Sequence, residues 1–315
     1  MIKRRSFIVG LKGIALSKQE INFLIKYKPW GIILFSRNLK NFKQIVKLTK
    51  KIKDIFGDKK YPILIDQEGG RVSRLNRLIS LDNLTSEYFG NLFVKNKREF
   101  KIFFELFINK TSFLLSSLGI NINTVPVLDL RYKGSSNIIG DRAYSYDPKI
   151  VSEIGDLCIK FFKKNSIGTV IKHIPGHGLA KTDSHYFTPT INQSLNFLKK
   201  RDFKTFKSKD TLFAMTAHVI FSKIDPYNTV THSKKLIKLI RNQINFKNIL
   251  ISDDLSMKSL KYSLEQNTIK AFEAGCNLAL HCNGNLKEMS IVAKNSPIVN
   301  SFIIKKTSEF YKNIS

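Results

Sequence analysis

The chain has 315 residues, of which 43% are apolar, and its 53 basic and 24 acidic side chains give a formal net charge of +29. A chain of this length and apolar content can bury a large core, which excludes an intrinsically disordered protein. The lysines are scattered in pairs along the whole sequence, without a continuous basic block or a helix-turn-helix or zinc-finger spacing. We therefore expect no nucleic-acid partner, and no apolar run reaches the length of a membrane span.

The amino terminus carries a pattern similar to a twin-arginine export signal, in which Lys3, Arg4 and Arg5 precede apolar residues. Lys12 interrupts the apolar stretch, and no small-residue cleavage site follows it. We therefore expect residues 7–11 to form the first strand of the fold.

The three cysteines, Cys158, Cys276 and Cys282, share no metal-binding or CxxC spacing. An odd number of cysteines without such spacing is typical of buried free thiols in a reducing compartment. The cysteine content therefore predicts a cytoplasmic protein.

Short apolar runs alternate with amphipathic helical patterns along the chain, which predicts an α/β fold. The predicted strands are 7–11, 30–35, 61–66, 122–129, 168–172, 211–219, 248–252 and 277–282. The predicted helices are one that follows a capping box at Ser17 and Glu20, and those at 41–56, 97–118, 148–165, 233–245, 263–274 and 297–313. Eight strand–helix units favour a single-domain (β/α)8 TIM barrel over residues 1–315. A doubly wound open sheet is the alternative, but no Gly-x-Gly-x-x-Gly turn follows an early strand.

Polar side chains are concentrated where the predicted strands end and in the loops that follow. They are Asp66, Asp129, Arg142, Lys172, His173, His218, Asp253 and Asp254. Barrel enzymes place their catalytic groups at the carboxyl ends of the strands. One such residue alone is more often a hydrogen-bonded scaffold group, but this number at one rim predicts an active site.

The loop after the fifth predicted strand contains an acid–base pair, Asp183 and His185, preceded by Gly176 and Gly178. An aspartate close to a histidine can fix its tautomer and raise its basicity, as a general acid/base requires. The two glycines would let the loop fold over a substrate.

A metal site is the competing interpretation of this loop, because His173, His177, Asp183 and His185 all have ligand chemistry. The spacing does not favour it, since no His-x-His ends the first strand and no His-Glu-x-x-His helix occurs. We therefore expect catalysis without a metal.

Two further histidines are predicted to have structural roles. His232 precedes a predicted helix, where we expect it in the cap region rather than as a ligand. His281 and Cys282 end the last predicted strand and could line the rim, but packing is the favoured role.

Four sequence blocks stand out: IDQEGGRV at 65–72, KHIPGHG at 172–178, DSH at 183–185 and SDDLSM at 252–257. They resemble the signatures of family 3 glycoside hydrolases, most closely those of the single-domain bacterial β-N-acetylglucosaminidases. Their order and spacing are preserved, and the resemblance extends from the first strand to about residue 285. The departures are mild: Ile174 stands where phenylalanine is common, and residues 179–182 fall in a variable part of the loop.

The resemblance implies a retaining exo-β-N-acetylglucosaminidase that removes terminal GlcNAc from GlcNAc–1,6-anhydro-MurNAc muropeptides in cell-wall recycling. It assigns Asp253 as the nucleophile, His185 as the general acid/base and Asp183 as the residue that orients His185, with no metal or organic cofactor. Spacing alone does not choose between Asp253 and Asp254, although neighbours in a strand point to opposite sides, so only one can face the sugar.

For substrate binding the resemblance implies Asp66, Arg74, Arg142, Lys172 and His173. A carboxylate can accept from two sugar hydroxyls, while arginine and lysine can donate to hydroxyls or to the N-acetyl carbonyl. Residues 68–71 are expected to shape the turn rather than to contact sugar, and the protein is expected to be a monomer.

Two alternatives remain open at the level of sequence. One is a family 3 phosphorylase, because a histidine acid/base repels incoming phosphate less than a carboxylate does. The other is a basic protein that binds an anionic polymer on an inherited barrel, whose binding would depend steeply on salt and not on Asp253.

Overall fold

A computed structural model describes residues 3–182 and 187–314, and in these ranges eight parallel strands close into a barrel, as the sequence predicts. The strands, in order around the barrel, are β1 (Arg5–Gly10), β2 (Pro29–Leu34), β3 (Ile63–Ile65), β4 (Ile122–Asn123), β5 (Gly168–Ile174), β7 (Phe213–Thr216), β9 (Ile249–Asp254) and β10 (Leu278–His281). β1 pairs with β10, which closes the ring. Outside it, β6 (Thr190–Ile191) and β8 (Ile220–Phe221) form a small two-stranded parallel sheet.

Helices surround the barrel on its outer side. They are α1 (Lys18–Tyr27), α2 (Phe42–Phe56), α3 (Ser86–Lys95), α4 (Lys97–Ser117), α5 (Pro148–Lys164), α6 (Leu195–Lys200), α7 (Asp202–Phe206), α8 (Lys234–Leu239), α9 (Leu264–Ala274), α10 (Leu286–Asn295) and α11 (Ser301–Asn313). Local sequence sets their ends: Ser17 and Glu20 form the predicted capping box of α1, and Asp147 caps α5 ahead of Pro148. Gly57 ends α2 in the left-handed conformation that glycine adopts without strain.

Side chains along the strands alternate between two separate apolar cores. In β1, Phe7 and Val9 face the helices, whereas Ile8 belongs to the cluster inside the barrel. In β2, Ile33 is likewise inside the barrel and its neighbours are outside. This period of two means that every second strand residue points along the axis of the barrel.

Helix α11 closes the amino-terminal end of the barrel. The Phe310 ring lies 5.5 Å from that of Phe213, which lies 5.5 Å from Trp30. The Trp30 indole N–H donates to Thr307 Oγ1 at 2.9 Å, so α11 is held at this end of the barrel by a hydrogen bond as well as by packing. The carboxyl ends of the strands therefore form the end at which a polar site can open.

Two predicted strands are shorter than expected. The strand at 122–129 ends at Asn123, because Thr124 and Val125 lead into Pro126, which has no N–H for a ladder. The strand at 211–219 is reduced to β7, after which residues 220–221 pair with the small outer sheet.

The helix predictions were less complete than the strand predictions. The helix expected at 233–245 is α8 followed by a π-helical turn at Ile240–Ile244, and the one expected at 297–313 begins only at Ser301. α3, α6, α7 and α10 were not predicted. α6 and α7 have only six and five residues, which is too few for a periodic signal.

The amino-terminal basic segment is part of the fold. Residues 5–10 form β1, which confirms the interpretation of this segment as the first strand. Arg4 donates to Asp58 and stacks on the ring of Tyr61. Within the described ranges, every helix is too short or too polar to cross a bilayer.

Phe310→Ala tests the closure of the barrel by α11. Removing this fully buried ring should lower the free energy of unfolding by about 3–5 kcal/mol, because it leaves a cavity at the end of the barrel. Urea denaturation of the variant measures the loss. The matched control is Phe113→Ala, whose ring is 76% exposed and whose loss should stay within about 0.5 kcal/mol. A loss below about 1 kcal/mol for Phe310→Ala would contradict the closure.

Candidate active site

A cavity with about 680 Å³ of free space opens at the carboxyl ends of the barrel strands. It is lined by Ile33, Asp66, Glu68, Val72, Arg74, Ile138, Ile139, Arg142, Lys172, His173, His177, Met215, Asp253, Met257, Leu280 and Cys282. The structure thus brings together the five residues predicted to bind substrate and the predicted nucleophile, Asp253. Asp183 and His185 lie outside the described residues.

Strand periodicity explains why three of these polar groups face the cavity. Asp66, Lys172 and Asp253 each follow, by two residues, an apolar side chain inside the barrel; these side chains are Leu64, Val170 and Ile251. Side chains two positions apart in a strand share a face. The next inward-facing residue after each apolar one is therefore the polar residue at the carboxyl end of the strand, and it points into the cavity. Ile33, Met215 and Leu280, which also belong to the interior cluster, line the same cavity.

The Lys172 ammonium is buried at the centre of the polar wall. Its Nζ lies 3.0 Å from Asp66 Oδ1, 2.7 Å from Glu68 Oε1 and 3.0 Å from Thr124 Oγ1. An unpaired ammonium would not be stable at this depth, so the two carboxylates are what allow it to remain charged. Burial lowers the Lys172 pKa, but Asp66 and Glu68 more than offset this, and the pKa is raised overall.

Glu68 also binds Arg142 in a two-pronged ion pair. Arg142 Nε donates to Glu68 Oε2 at 2.8 Å and Nη2 donates to Oε1 at 2.9 Å. Burial would raise the pKa of the Glu68 carboxyl, but the charges of Arg142 and Lys172 lower it to about 2. Glu68 was expected only to shape a turn, but it is a buried anion that pairs with two cations of the cavity wall. Gly69 and Gly70 do form the turn, with positive φ angles.

Asp66 is paired on both of its oxygens. Oδ1 faces Lys172 and the Thr124 hydroxyl, and Oδ2 accepts from Arg74 Nη2 at 3.3 Å. Burial opposes ionisation, but Lys172 and Arg74 hold the pKa of the Asp66 carboxyl well below its usual range. Arg74 is more exposed than Lys172 and packs over the ring of Phe35 at the edge of the cavity.

Asp129 positions two histidines, His173 near the end of β5 and His177 just after it. Its Oδ2 lies 2.6 Å from His173 Nδ1, and its Oδ1 accepts from the backbone N–H of His177 at 2.7 Å. The sequence placed Asp129 at the rim; it is fully buried behind His173 and does not line the cavity. Burial and the neighbouring His173 lower the pKa of His177 to about 4, so its imidazole is neutral near pH 7.

The adjacent aspartates at the end of β9 have different surroundings, as strand geometry predicts. Asp253 lines the cavity, whereas Asp254 turns to the Ser256 hydroxyl at 2.8 Å and the Cys282 N–H at 3.3 Å. The Asp254 N–H donates to Asp253 Oδ1 at 2.8 Å. Burial would raise the pKa of the Asp253 carboxyl, but His218, His173, this N–H and Lys172 lower it overall, so Asp253 is ionised at neutral pH.

His218 lies behind the cavity rather than in its wall. Its Nε2 lies 3.0 Å from the Asp254 carbonyl oxygen and its Nδ1 lies 2.7 Å from Thr231 Oγ1, and the side chain is fully buried. Burial lowers the pKa of His218. The predicted rim residue thus supports the backbone that carries Asp253.

His281, which ends β10, and Cys282, which follows it, have different roles: one packs in the interior and the other lines the cavity. His281 is fully buried between Asp254 and Glu288, which agrees with packing. Cys282 lines the cavity, so packing was the wrong choice for it. His232 lies in the short turn at Val230–His232 that leads into α8, as expected. Cys158 and Cys276 are buried free thiols whose pKa values burial raises to about 12.

Sequence reasoning missed Glu68 as a charged member of the cavity, and it also missed Ile138, Ile139 and Met257. Glu68 pairs with Arg142, 74 positions away, and no local spacing predicts such a contact. The two-residue spacing between Leu64 and Asp66 can predict which strand residues face the cavity, but it cannot predict which loop residues do. Within the described residues, no three His, Cys, Asp or Glu side chains are arranged to hold a metal ion.

Glu68→Gln tests the ion-pair cluster through its effect on stability. The lowered pKa of Glu68 corresponds to about 3 kcal/mol of the free energy of unfolding, which the variant should lose at pH 7. Because the folded-state pKa lies below the unfolded value of 4.5, this contribution is complete above that value and disappears as the pH falls toward 2. The difference between wild type and variant should therefore shrink from pH 6 to pH 3 in urea denaturation.

The matched control for this experiment is Glu153→Gln. Glu153 pairs with Lys97 at 3.2 Å, but both side chains are more than half exposed. Exposed pairs contribute little, so its effect should stay below about 1 kcal/mol at every pH. A Glu68→Gln difference that does not change with pH would contradict the assignment of a buried, ionised Glu68.

Comparisons with known proteins agree with the geometry. The model of the glycosyl hydrolase family 3 N-terminal domain matches residues 8–308. A β-hexosaminidase of Actinobacillus pleuropneumoniae serotype 5b is 33% identical over 288 residues, covering 88% of this chain and 80% of the relative. A β-hexosaminidase of Haemophilus ducreyi is 34% identical over 290 residues, with the same coverage.

A solved structure gives the same result. NagZ from Neisseria gonorrhoeae in complex with N-trifluoroacetyl-D-glucosamine matches with a TM-score of 0.89 and 27% identity, covering 98% of this chain and 90% of that one. The predicted resemblance is therefore confirmed along nearly the whole sequence. The chain belongs to glycosyl hydrolase family 3, as a glycoside hydrolase of the β-N-acetylhexosaminidase class.

Proposed function

We propose that this protein is a retaining exo-β-N-acetylglucosaminidase that removes terminal GlcNAc from GlcNAc–1,6-anhydro-MurNAc muropeptides. The observation that carries the proposal is the ionised Asp253 carboxylate in the wall of a cavity whose other charges are paired with one another. The cavity is closed below by Ile33, Met215 and Leu280 of the barrel interior. A blind pocket of this kind admits the end of a glycan rather than its middle, which supports exo-cleavage.

Asp253 is the nucleophile of this proposal. Its carboxylate attacks the anomeric carbon, the bond to the leaving oxygen breaks, and a glycosyl ester forms on Asp253. Water then attacks the same carbon, releasing GlcNAc and restoring the carboxylate. Two inversions give net retention of the β configuration.

The charges of the cavity support His185 as the proton donor. A general acid must hold a proton near neutral pH, but Asp66, Glu68 and Asp253 have lowered pKa values and are ionised there. His177 is neutral at this pH, with a pKa of about 4. None of these four side chains can therefore supply the proton, which supports the proposal that His185 does.

In this mechanism His185 gives its proton to the leaving oxygen and then takes one from the attacking water. Asp183, two positions earlier in the loop, would fix the tautomer of the ring and stabilise its protonated form. A neutral base also avoids adding a second negative charge beside Asp253 when water attacks.

The charged wall would orient the sugar. Within the described residues, Asp66 Oδ2 accepts one hydrogen bond, a long one of 3.3 Å from Arg74. It can therefore also accept from a sugar hydroxyl while Arg74 donates to a hydroxyl or to the N-acetyl carbonyl. Lys172, His173 and Arg142 complete the proposed binding set. Lys172 already contacts three protein oxygens, so we infer that it acts mainly by fixing Asp66.

The wider assignments are part of the same proposal. We propose one catalytic domain over residues 1–315, working as a cytoplasmic monomer in cell-wall recycling. The names of the relatives and the GlcNAc analogue in the Neisseria structure support the sugar specificity. Arg71, which donates to the carbonyl oxygens of the cavity residues Ile138 and Ile139, would suit an aglycone that carries peptide carboxylates.

Asp253→Asn, compared with Asp254→Asn, tests the nucleophile. Asp253→Asn should lower kcat/KM for p-nitrophenyl β-N-acetylglucosaminide by on the order of 10⁴, because an amide cannot form the ester. Asp254→Asn should lose far less, since that carboxylate faces away from the cavity. The anomer formed first in the wild-type reaction, followed by proton NMR, should be β. An α product or substantial activity in Asp253→Asn would refute the mechanism.

His185→Ala tests the general acid. It should slow hydrolysis of GlcNAc–anhydro-MurNAc far more than that of the nitrophenyl substrate, whose leaving group needs little protonation. Equal losses on both substrates would argue against the acid role. The same assay with added phosphate distinguishes a phosphorylase, which would release GlcNAc 1-phosphate instead of GlcNAc.

A further inference from the structure

Helix α4 is apolar on its outward face as well as on its buried face. Ile102, Phe103, Leu106 and Phe113 are all exposed on it, with Ile102 60% and Phe113 76% exposed. A helix on the surface of a barrel normally presents polar residues to solvent. Four large apolar side chains in one outward stripe therefore indicate a surface that binds something.

The stripe continues onto the neighbouring elements. We define the apolar patch as the four α4 residues together with Phe42 of α2, Ile79 and Tyr88, all of which are also exposed. Two cavities lie within it, one of about 650 Å³ beside Phe103 and Leu106 and one between Phe42 and Phe113. Both cavities are lined by Ile79, Lys110 and Leu114, so the patch is continuous.

Basic side chains outnumber acidic ones on the two helices that carry most of the apolar patch. Residues 95–110 contain five basic and two acidic side chains, and one of the acids, Glu105, is paired with Lys164. The adjacent α2 carries four exposed lysines, at positions 43, 47, 50 and 51. Lysine side chains beside apolar residues can lay their stems on the apolar surface and extend their charges to an anionic layer.

We propose that the apolar patch docks this protein on the surface of an anionic lipid bilayer. The aromatic and aliphatic side chains enter the boundary between headgroups and acyl chains, while the surrounding lysines contact lipid phosphates. The protein lies on the bilayer and does not span it. This inference does not depend on the proposed catalytic residues, because the patch lies on the outer helices and not in the active-site cavity.

Charge separates this occupant from a second copy of the chain. A dimer through α4 would bring two lysine rims, on molecules of net charge +29, against each other. An anionic bilayer instead satisfies both the apolar stripe and its basic surroundings.

Vesicle flotation with the full chain tests the proposal. Vesicles of phosphatidylcholine and phosphatidylglycerol in equal parts should bind the protein at low salt, and pure phosphatidylcholine vesicles should bind it far less. Ile102→Asp and Phe113→Asp should each lower the partition coefficient at least about tenfold, because a charge replaces an inserted apolar side chain. Lys110→Gln should lower it about fivefold, as one lost phosphate contact predicts.

Ile269→Asp is the matched control. Ile269 is a 39% exposed isoleucine on α9, and the β9–β10 crossover lies across the barrel from the β3–β4 crossover that carries α4. Its binding should stay within about twofold of wild type, which separates loss of the patch from the general effect of a negative charge. Hydrolysis of the nitrophenyl substrate should be unchanged in all four variants, showing that they are folded.

Three results would overturn the proposal. The first is no binding to anionic vesicles at low salt. The second is an equal loss in Ile269→Asp and in the patch variants, which would mean that the overall charge and not the patch binds lipid. The third is a dimer in light scattering that Ile102→Asp dissociates, which would identify a second copy as the occupant.

Discussion

The buried ammonium of Lys172 is the group on which the organisation of the cavity depends. A charge at this depth is stable only with anions in contact, and Asp66 and Glu68 provide them. Each of these carboxylates also pairs with a second cation. Glu68 pairs with Arg142, and Asp66 pairs with Arg74. Asp253 then completes a set of three cations and three anions. Against the effect of burial, these cations lower the pKa values of Asp66 and Glu68, whereas His218 and His173 contribute most to lowering that of Asp253.

This balance has a chemical result. The three carboxyls of the cavity are ionised and none of them can act as the general acid, so the proposed mechanism takes the proton for the leaving group from His185. A histidine suits this role, because the pKa of imidazole lies close to neutral pH. Division of labour between a rigid barrel and a loop also suits a substrate that enters a blind pocket. The fixed part would hold the sugar while the loop would deliver and remove the proton.

Much of the fold and part of the site could be predicted from the sequence, because both depend on local periodicity. All eight barrel strands lie at predicted positions, and Asp253 and Asp254 diverge because adjacent strand residues face opposite sides. The failures occurred where the structure depends on distant contacts. Glu68 and Arg142 meet across two loops, and Pro126 removes the chain from a ladder that its apolar neighbours seemed to continue. Short helices such as α6 and α7 gave too few turns for a periodic signal.

The closure of the barrel by β10 and α11 has a consequence for synthesis of the protein. β1 pairs with β10, and Trp30 packs against Phe213 and hydrogen-bonds to Thr307, so β1 and β2 must wait until β10 and α11 have been synthesised. Until α11 leaves the ribosome, the amino-terminal end of the barrel is open and exposes interior isoleucine, leucine and phenylalanine side chains. Long-range closure of this kind slows folding and leaves apolar surface uncovered meanwhile. The nascent chain is therefore most in need of chaperone protection in the interval between emergence of β1 and arrival of Phe310.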